Sequence, residues 1–269
     1  MSEPEWLYPS WRTSDPHDQN YMQTLVDIAL QIPRLMKKFD EAKDCDTDGI
    51  KVEDDVFYSL VEDSLAIQEL LDQWEENLRG GNKHTQIYIP RLAQSMETGN
   101  IFPIAYDFPN LDIGTVSVQY EGVQIFLCEL LIGILTHIQD SGRDIDYGLL
   151  PFVLPNITAL TARALDGADR TCQFIPYFFE DSKGIMGRIV MTFSFEAARN
   201  LYTRLLREKK GTRQDDKSLT RKLQYCHAYA EKYRAMGFGT WNDNYVNVWE
   251  EETSRKTVHS DISVVCSVI

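Results

Sequence analysis

The feature that most restricts this chain is its longest apolar run, residues 122–138 (GVQIFLCELLIGILTHI). A segment this greasy must be buried, either in a protein core or in a bilayer. It is 17 residues long and carries Gln124 and Glu129, whereas a membrane-spanning helix needs about 20 mostly apolar residues. The run therefore predicts a central helix of a folded core, and no transmembrane segment. Its neighbours must then supply apolar faces to cover it, and the search for periodicity starts from there.

Helical spacing recurs on both sides of the run. Leu25, Ile28, Ile32, Leu35 and Phe39 fall at intervals of three and four, predicting a helix over 21–43. Pro33 lies inside that pattern, lacks an N–H donor, and must kink or restart the helix. The clearest amphipathic helix is predicted over 54–78, with Val56, Leu60, Ile67, Leu71, Trp74 and Leu78 on one stripe. Gly80 and Gly81 stop it. The apolar run extends to a helix over 111–139, ended near Gly142. Further helices are expected at 156–180, 189–209 and 217–236. Residues 82–112 carry Pro90, Pro103 and Pro109, and read as a long ordered loop with short helical pieces. Strand-like alternation is scarce and no fixed-period repeat occurs. The expected fold class is all-α: a single-domain helical bundle or array over 21–249. It is preceded by an extended N-terminal arm, 1–20, anchored by Trp6, Tyr8 and Trp11, and followed by a flexible C-terminal tail, 250–269.

Charge narrows the function. Lys and Arg number 27 against 41 Asp and Glu, a net charge of −14. An acidic surface repels phosphate backbones, and nucleic-acid binding needs a basic face that releases counterions. Only 204–213 (RLLREKKGTR) is locally basic, and Glu208 interrupts it. No direct nucleic-acid binding is expected. The five cysteines are far apart, so no compact zinc site arises from spacing. Cys128 and Cys172 sit in apolar surroundings and read as reduced core thiols. The first residues show neither a basic region nor an apolar one of signal-peptide type. The nucleus or the cytoplasm is the expected location.

Three motifs are candidates for chemistry. Asp44-Cys45-Asp46-Thr47-Asp48-Gly49 matches the opening of an EF-hand calcium loop, with oxygens at positions 1, 3 and 5 and a turn glycine at 6. Its eighth position is Lys51, and its twelfth is Asp55 in place of a bidentate Glu. Asp44, Asp46, Asp48 and Asp55 are the resulting candidate calcium ligands. The alternative is an acidic turn between helices, the Asp side chains bonding their own backbone. Cys266, in Cys266-Ser267-Val268-Ile269, is a candidate prenylation site of C-a-a-X type, although Ser267 is not aliphatic. Asp54-Asp55 and the stretch from Asn242 to Glu250 approximate the two magnesium motifs of all-α terpene cyclases, each lacking a ligand. No HExxH, GxxxxGK[ST], GxGxxG or GxSxG occurs. Cys226 and His227 are adjacent and point to different helix faces, so they do not form a nucleophilic pair.

Taken in order, several segments resemble the C-terminal regulatory domain of fungal Zn2Cys6 (zinc-cluster) transcription factors. They are DIALQIPRLMKKFDEA (27–42), LAIQELLDQWEENL (65–78), FPNLDIGTVSVQYEGVQIFLCELLIGIL (108–135), ADRTCQFIPYFFEDSKGIMGRIVMTFSFEAARNLY (168–202) and YCHAYAEKYRAMGFGTW (225–241). Within the fourth, the pattern of Cys172, Tyr177, Gly184, Gly187 and Ala197 is most similar. The family's six closely spaced cysteines do not occur here, which removes its DNA-reading element. The resemblance implies a helical domain acting through protein partners, a DNA-binding regulator among them, or through a small effector. It also implies a link to a fungal secondary-metabolite pathway, and it supplies no catalytic residues. The alternative reading is a pathway enzyme, of cyclase or isomerase type, on the same scaffold.

Overall fold

The computed structural model describes residues 20–50, 52–80, 87–93, 101–143, 155–209 and 217–237. The expected N-terminal arm and C-terminal tail lie outside these residues. The described chain is all-α apart from one short hairpin. It divides into two compact units, one of residues 1–86 with 134–154, the other of 87–133 with 155–269.

The first unit begins with α1 (Tyr21–Ala29) and α2 (Ile32–Thr47). Asn20 caps α1 by accepting from the Gln23 N–H at 3.0 Å. Such a cap satisfies one of the donors left orphaned at a helix start. Pro33 sits in the first positions of α2, where its missing N–H leaves no bond unmade. The proline therefore restarts the helix and does not bend it. All five residues of the predicted stripe, Leu25, Ile28, Ile32, Leu35 and Phe39, are buried. Helix α3 (Asp54–Leu78) has the predicted ends. Its buried face differs at the start: Phe57 is fully buried, whereas Val56 is 40% exposed. The inward stripe runs Phe57, Leu60, Val61, Ser64, Gln68, Leu71, at the spacing of three and four that a helix imposes. Trp74 fixes the far end, its indole N–H donating to the Tyr21 carbonyl at 2.9 Å.

The second unit opens with a correction to the sequence reading. Residues expected as loop with helical pieces form an antiparallel hairpin, β1 (Ile89–Leu92) and β2 (Ile104–Asp107). Ile89 pairs with Asp107 and Leu92 with Ile104. An isolated two-stranded ribbon is marginal in water and needs a covering surface. Tyr88, Tyr106 and Phe108 supply it by packing on Phe174, with ring centroids 5.6, 5.9 and 4.9 Å away. Pro90 is tolerated in β1 because that strand has an unpaired edge.

Helix α4 (Leu111–Asp140) carries the apolar run. Its start is capped by Asn110, which accepts from the Ile113 N–H at 2.9 Å. By length and composition it is the one helix among the described residues that could cross a membrane, yet 72% of its apolar window is buried in the protein. A core helix looks like this, and no clear transmembrane segment results. Helices α5 (Ile157–Phe178), α6 (Gly184–Lys209) and α7 (Lys217–Ala235) complete the unit. Helix α6 starts five residues before its expected start at 189, after a 3-10 turn over Asp181–Lys183. Gly122 brings α4 and α6 close: a Cβ there would lie 2.5 Å from Ser194 Oγ and 2.6 Å from the Phe193 ring.

Candidate functional site

The residues expected to bind calcium are dispersed. Asp44 and Asp46 lie within α2, which stays helical through Thr47, and Asp48 is its C-cap. An EF-hand would leave the helix at its first ligand. Here the helical path spreads the three carboxylates around the cylinder. Asp55 belongs to the first turn of α3. Gly49 does take the left-handed conformation expected of the turn, with φ +78°. Among the described residues, no three His, Cys, Asp or Glu side chains gather as a metal-binding group.

Asp46 instead joins a compact ionic cluster with His137 and Arg143. His137 Nε2 is 3.0 Å from Asp46 Oδ2, and Arg143 Nη2 donates to Asp46 Oδ1 at 2.5 Å. Arg143 also donates to the Val52 carbonyl at 2.8 Å and to the Asp54 carboxylate. The guanidinium lies 4.6 Å from the Phe57 ring centroid, a cation–π contact. The imidazole sits between Phe39 and Phe57. Burial pushes the Asp46 carboxyl up, but hydrogen bonds from His137 and Arg143 outweigh it and hold the carboxyl below its usual range. The cluster staples α2, α3 and the end of α4 together. It also engages Asp54 of the first expected magnesium motif, Asp54-Asp55; the second motif, 242–250, lies outside the described residues, as does Cys266.

The second unit holds three polar ties along α4. Arg170 grips Glu121 with two bonds, 2.6 and 3.0 Å, and also reaches Asp166. Arg163 donates to Gln124 at 3.1 Å. Arg204, from the locally basic stretch, grips Glu129 with two bonds of 2.6 Å and also pairs with Glu208. Burial raises Glu129, with Arg204 opposing. Arg170 and Arg204 are thus paired with carboxylates within the protein, and Arg163 with an amide.

A set of chemistry-bearing side chains lies between α5, α6 and α7. Cys172 and Cys226 are fully buried, their sulfurs 3.8 Å apart. The Tyr202 hydroxyl is 3.8 Å from Cys172 Sγ and donates to Asp169 Oδ1 at 2.7 Å. Lys222 Nζ pairs with Asp169 Oδ2 at 2.6 Å. The Tyr225 hydroxyl donates to the Cys172 carbonyl at 3.3 Å. Burial, reinforced by the neighbouring thiol, pushes the Cys226 thiol well up. Burial does the same to Tyr202, helped by Cys172 and Asp169. A thiol held protonated is neither a nucleophile nor a metal ligand. Asp169 is already bonded to a lysine and a tyrosine. The sequence singled out Cys172 as a core thiol, as found, but gave no sign of Cys226 beside it, because 54 residues separate them. His227 is exposed while Cys226 is buried, as helix geometry predicts.

An exposed apolar strip lies at the start of α6. Ile185, Met186 and Ile189 are 58%, 54% and 47% exposed. The Tyr233 hydroxyl donates to the Arg188 carbonyl at 2.7 Å, which ties the end of α7 to this turn. Compared with known protein families, with curated proteins and with solved structures, the chain has no match in any of the three.

Proposed function

We propose that this chain is a regulatory, protein-binding domain that acts through partners, a DNA-binding regulator among them. The observation that carries the reading is the exposed strip Ile185, Met186 and Ile189. Residues one turn apart on a helix share a face, and adjoining large apolar side chains left in water mark contact sites for other proteins. A helix face of this kind suits docking into, or receiving, an amphipathic helix. The net charge of −14 supports a role without direct nucleic-acid contact. The resemblance to the zinc-cluster regulators supports a place in transcriptional control, in the nucleus or cytoplasm, of a secondary-metabolite pathway.

Affinity purification of the intact protein tests this. A DNA-binding protein should co-purify, and Ile185→Asp with Ile189→Asp should lose it without lowering the melting temperature. The chain alone should leave duplex DNA unshifted at physiological salt. Deleting the gene should lower transcripts across a set of pathway genes. Accumulation of a single unprocessed intermediate, with transcripts unchanged, would instead establish the pathway-enzyme alternative.

A further inference from the structure

We propose that Cys172 and Cys226 form a reversible redox lock between α5 and α7, closed by a low-molecular-weight disulfide such as oxidised glutathione. The two sulfurs are in van der Waals contact at 3.8 Å on neighbouring helices. Reaching bonding distance asks for about 1.8 Å of further approach, since a disulfide is about 2.05 Å long. Side-chain rotation and a slight shift of α7 supply movement on that scale. Of the other described cysteines, Cys45 is half-buried in the first unit, and Cys128 receives the Gln124 amide at 3.6 Å.

Access is the controlling step. In the closed core both thiols are fully buried, and Cys226 is held protonated by its surroundings. Helix α7 buries Leu219, Tyr225, Tyr229 and Tyr233 along with Cys226, while its opposite face is exposed. Its rim is tied down by Lys222 on Asp169 and by the Tyr225 and Tyr233 hydroxyls on the carbonyls of Cys172 and Arg188. Lifting α7 frees both sulfurs in one motion, a local opening of the kind folded proteins undergo below their global unfolding energy. One thiol then loses its proton to solvent, and the thiolate attacks oxidised glutathione. The glutathione S–S bond breaks, a protein–glutathione mixed disulfide forms, and one glutathione leaves as thiolate. The second cysteine, deprotonated in turn, attacks the protein sulfur of that adduct and expels the second glutathione. Two protein thiols are oxidised to one disulfide, and one glutathione disulfide is reduced to two thiols. Glutathione in excess reverses the sequence.

The test uses the full chain, folded, with oxidised glutathione under native conditions. Intact-mass analysis should show the loss of two hydrogens, and peptide mapping should place the bond between residues 172 and 226. Cys226→Ser should stop at the glutathione adduct on Cys172, and Cys172→Ser at the adduct on Cys226. Lys222→Ala, which frees one end of α7, should close the bond several-fold faster, with circular dichroism confirming an intact fold. The idea is overturned if the bond joins other cysteines, if the wild-type adduct persists without closing, or if Lys222→Ala leaves the rate unchanged.

Discussion

Gly122→Ala is the sharpest probe of how α4 meets α6. The new Cβ would lie 2.5 Å from Ser194 Oγ and 2.6 and 2.8 Å from two atoms of the Phe193 ring. Two neighbours must move. Ser194 is fully buried and donates to the Val118 carbonyl at 2.6 Å, so turning it away breaks that bond. Phe193 is stacked on Phe126, centroids 5.2 Å apart and planes 15° apart, so tilting it loosens the stack. Overpacking of this kind typically costs about 1–3 kcal/mol. An unmade buried hydroxyl bond adds about 1 kcal/mol. Alanine returns about 1 kcal/mol because it is a better helix former than glycine. The net expectation is destabilisation by about 1–3 kcal/mol, or a fall in melting temperature of roughly 3–10 °C for a chain of this size. Thermal and urea unfolding followed by circular dichroism measure it. Gly114→Ala is the internal comparison, because its Cβ meets only ring atoms at 3.1–3.2 Å and should cost less. A Gly122→Ala protein as stable as wild type, or more so, would refute the close approach.

Phe57→Ala should destabilise the protein by about 3–5 kcal/mol, whereas Val56→Ala should stay within about 0.5 kcal/mol, as urea titration of both would show. Arg170→Ala should cost about 3 kcal/mol or more, because it strands the buried Glu121 carboxylate, and adding Glu121→Leu should recover much of the loss. Asp46 titrates below its unfolded value. Its contribution is therefore present above about pH 4, the unfolded value, and is lost as pH falls through the folded one. Asp46→Asn should consequently lower stability at pH 7 and shrink the loss between pH 5 and 3, as melting curves across that range would reveal.

Much of the helical architecture could be read from residue spacing alone, because burial forces a period near 3.6. Helix α3 has its predicted ends, and α7 differs from prediction by one residue. The Val56 and Phe57 exchange shows where spacing runs out: the first turn of a helix is anchored by contacts from other elements. Phe57 is drawn inward by His137 and Arg143, some 80 residues away. The hairpin was hidden for a related reason. Its strands have four residues each, one contains Pro90, and their stability comes from Phe174 on a distant helix. The acidic motif at 44–49 does not state its counter-ions. Arg143, almost 100 residues later, decides what Asp46 does. The thiol pair escaped notice for the same reason.

The three polar ties on α4 act as a ruler laid inside an otherwise interchangeable surface. Leu, Ile and Val can trade places along this helix at small expense, but Glu121, Gln124 and Glu129 each select one arginine. Arg163 and Arg170 are seven residues apart, two turns of α5, so slipping that helix by a single turn would strand both acceptors at once. Alignment of the core is thus set by a few polar acceptors and not by its bulk. Distant kin of this chain should accordingly be sought by that spacing of acids and arginines, since the apolar letters between them are free to drift.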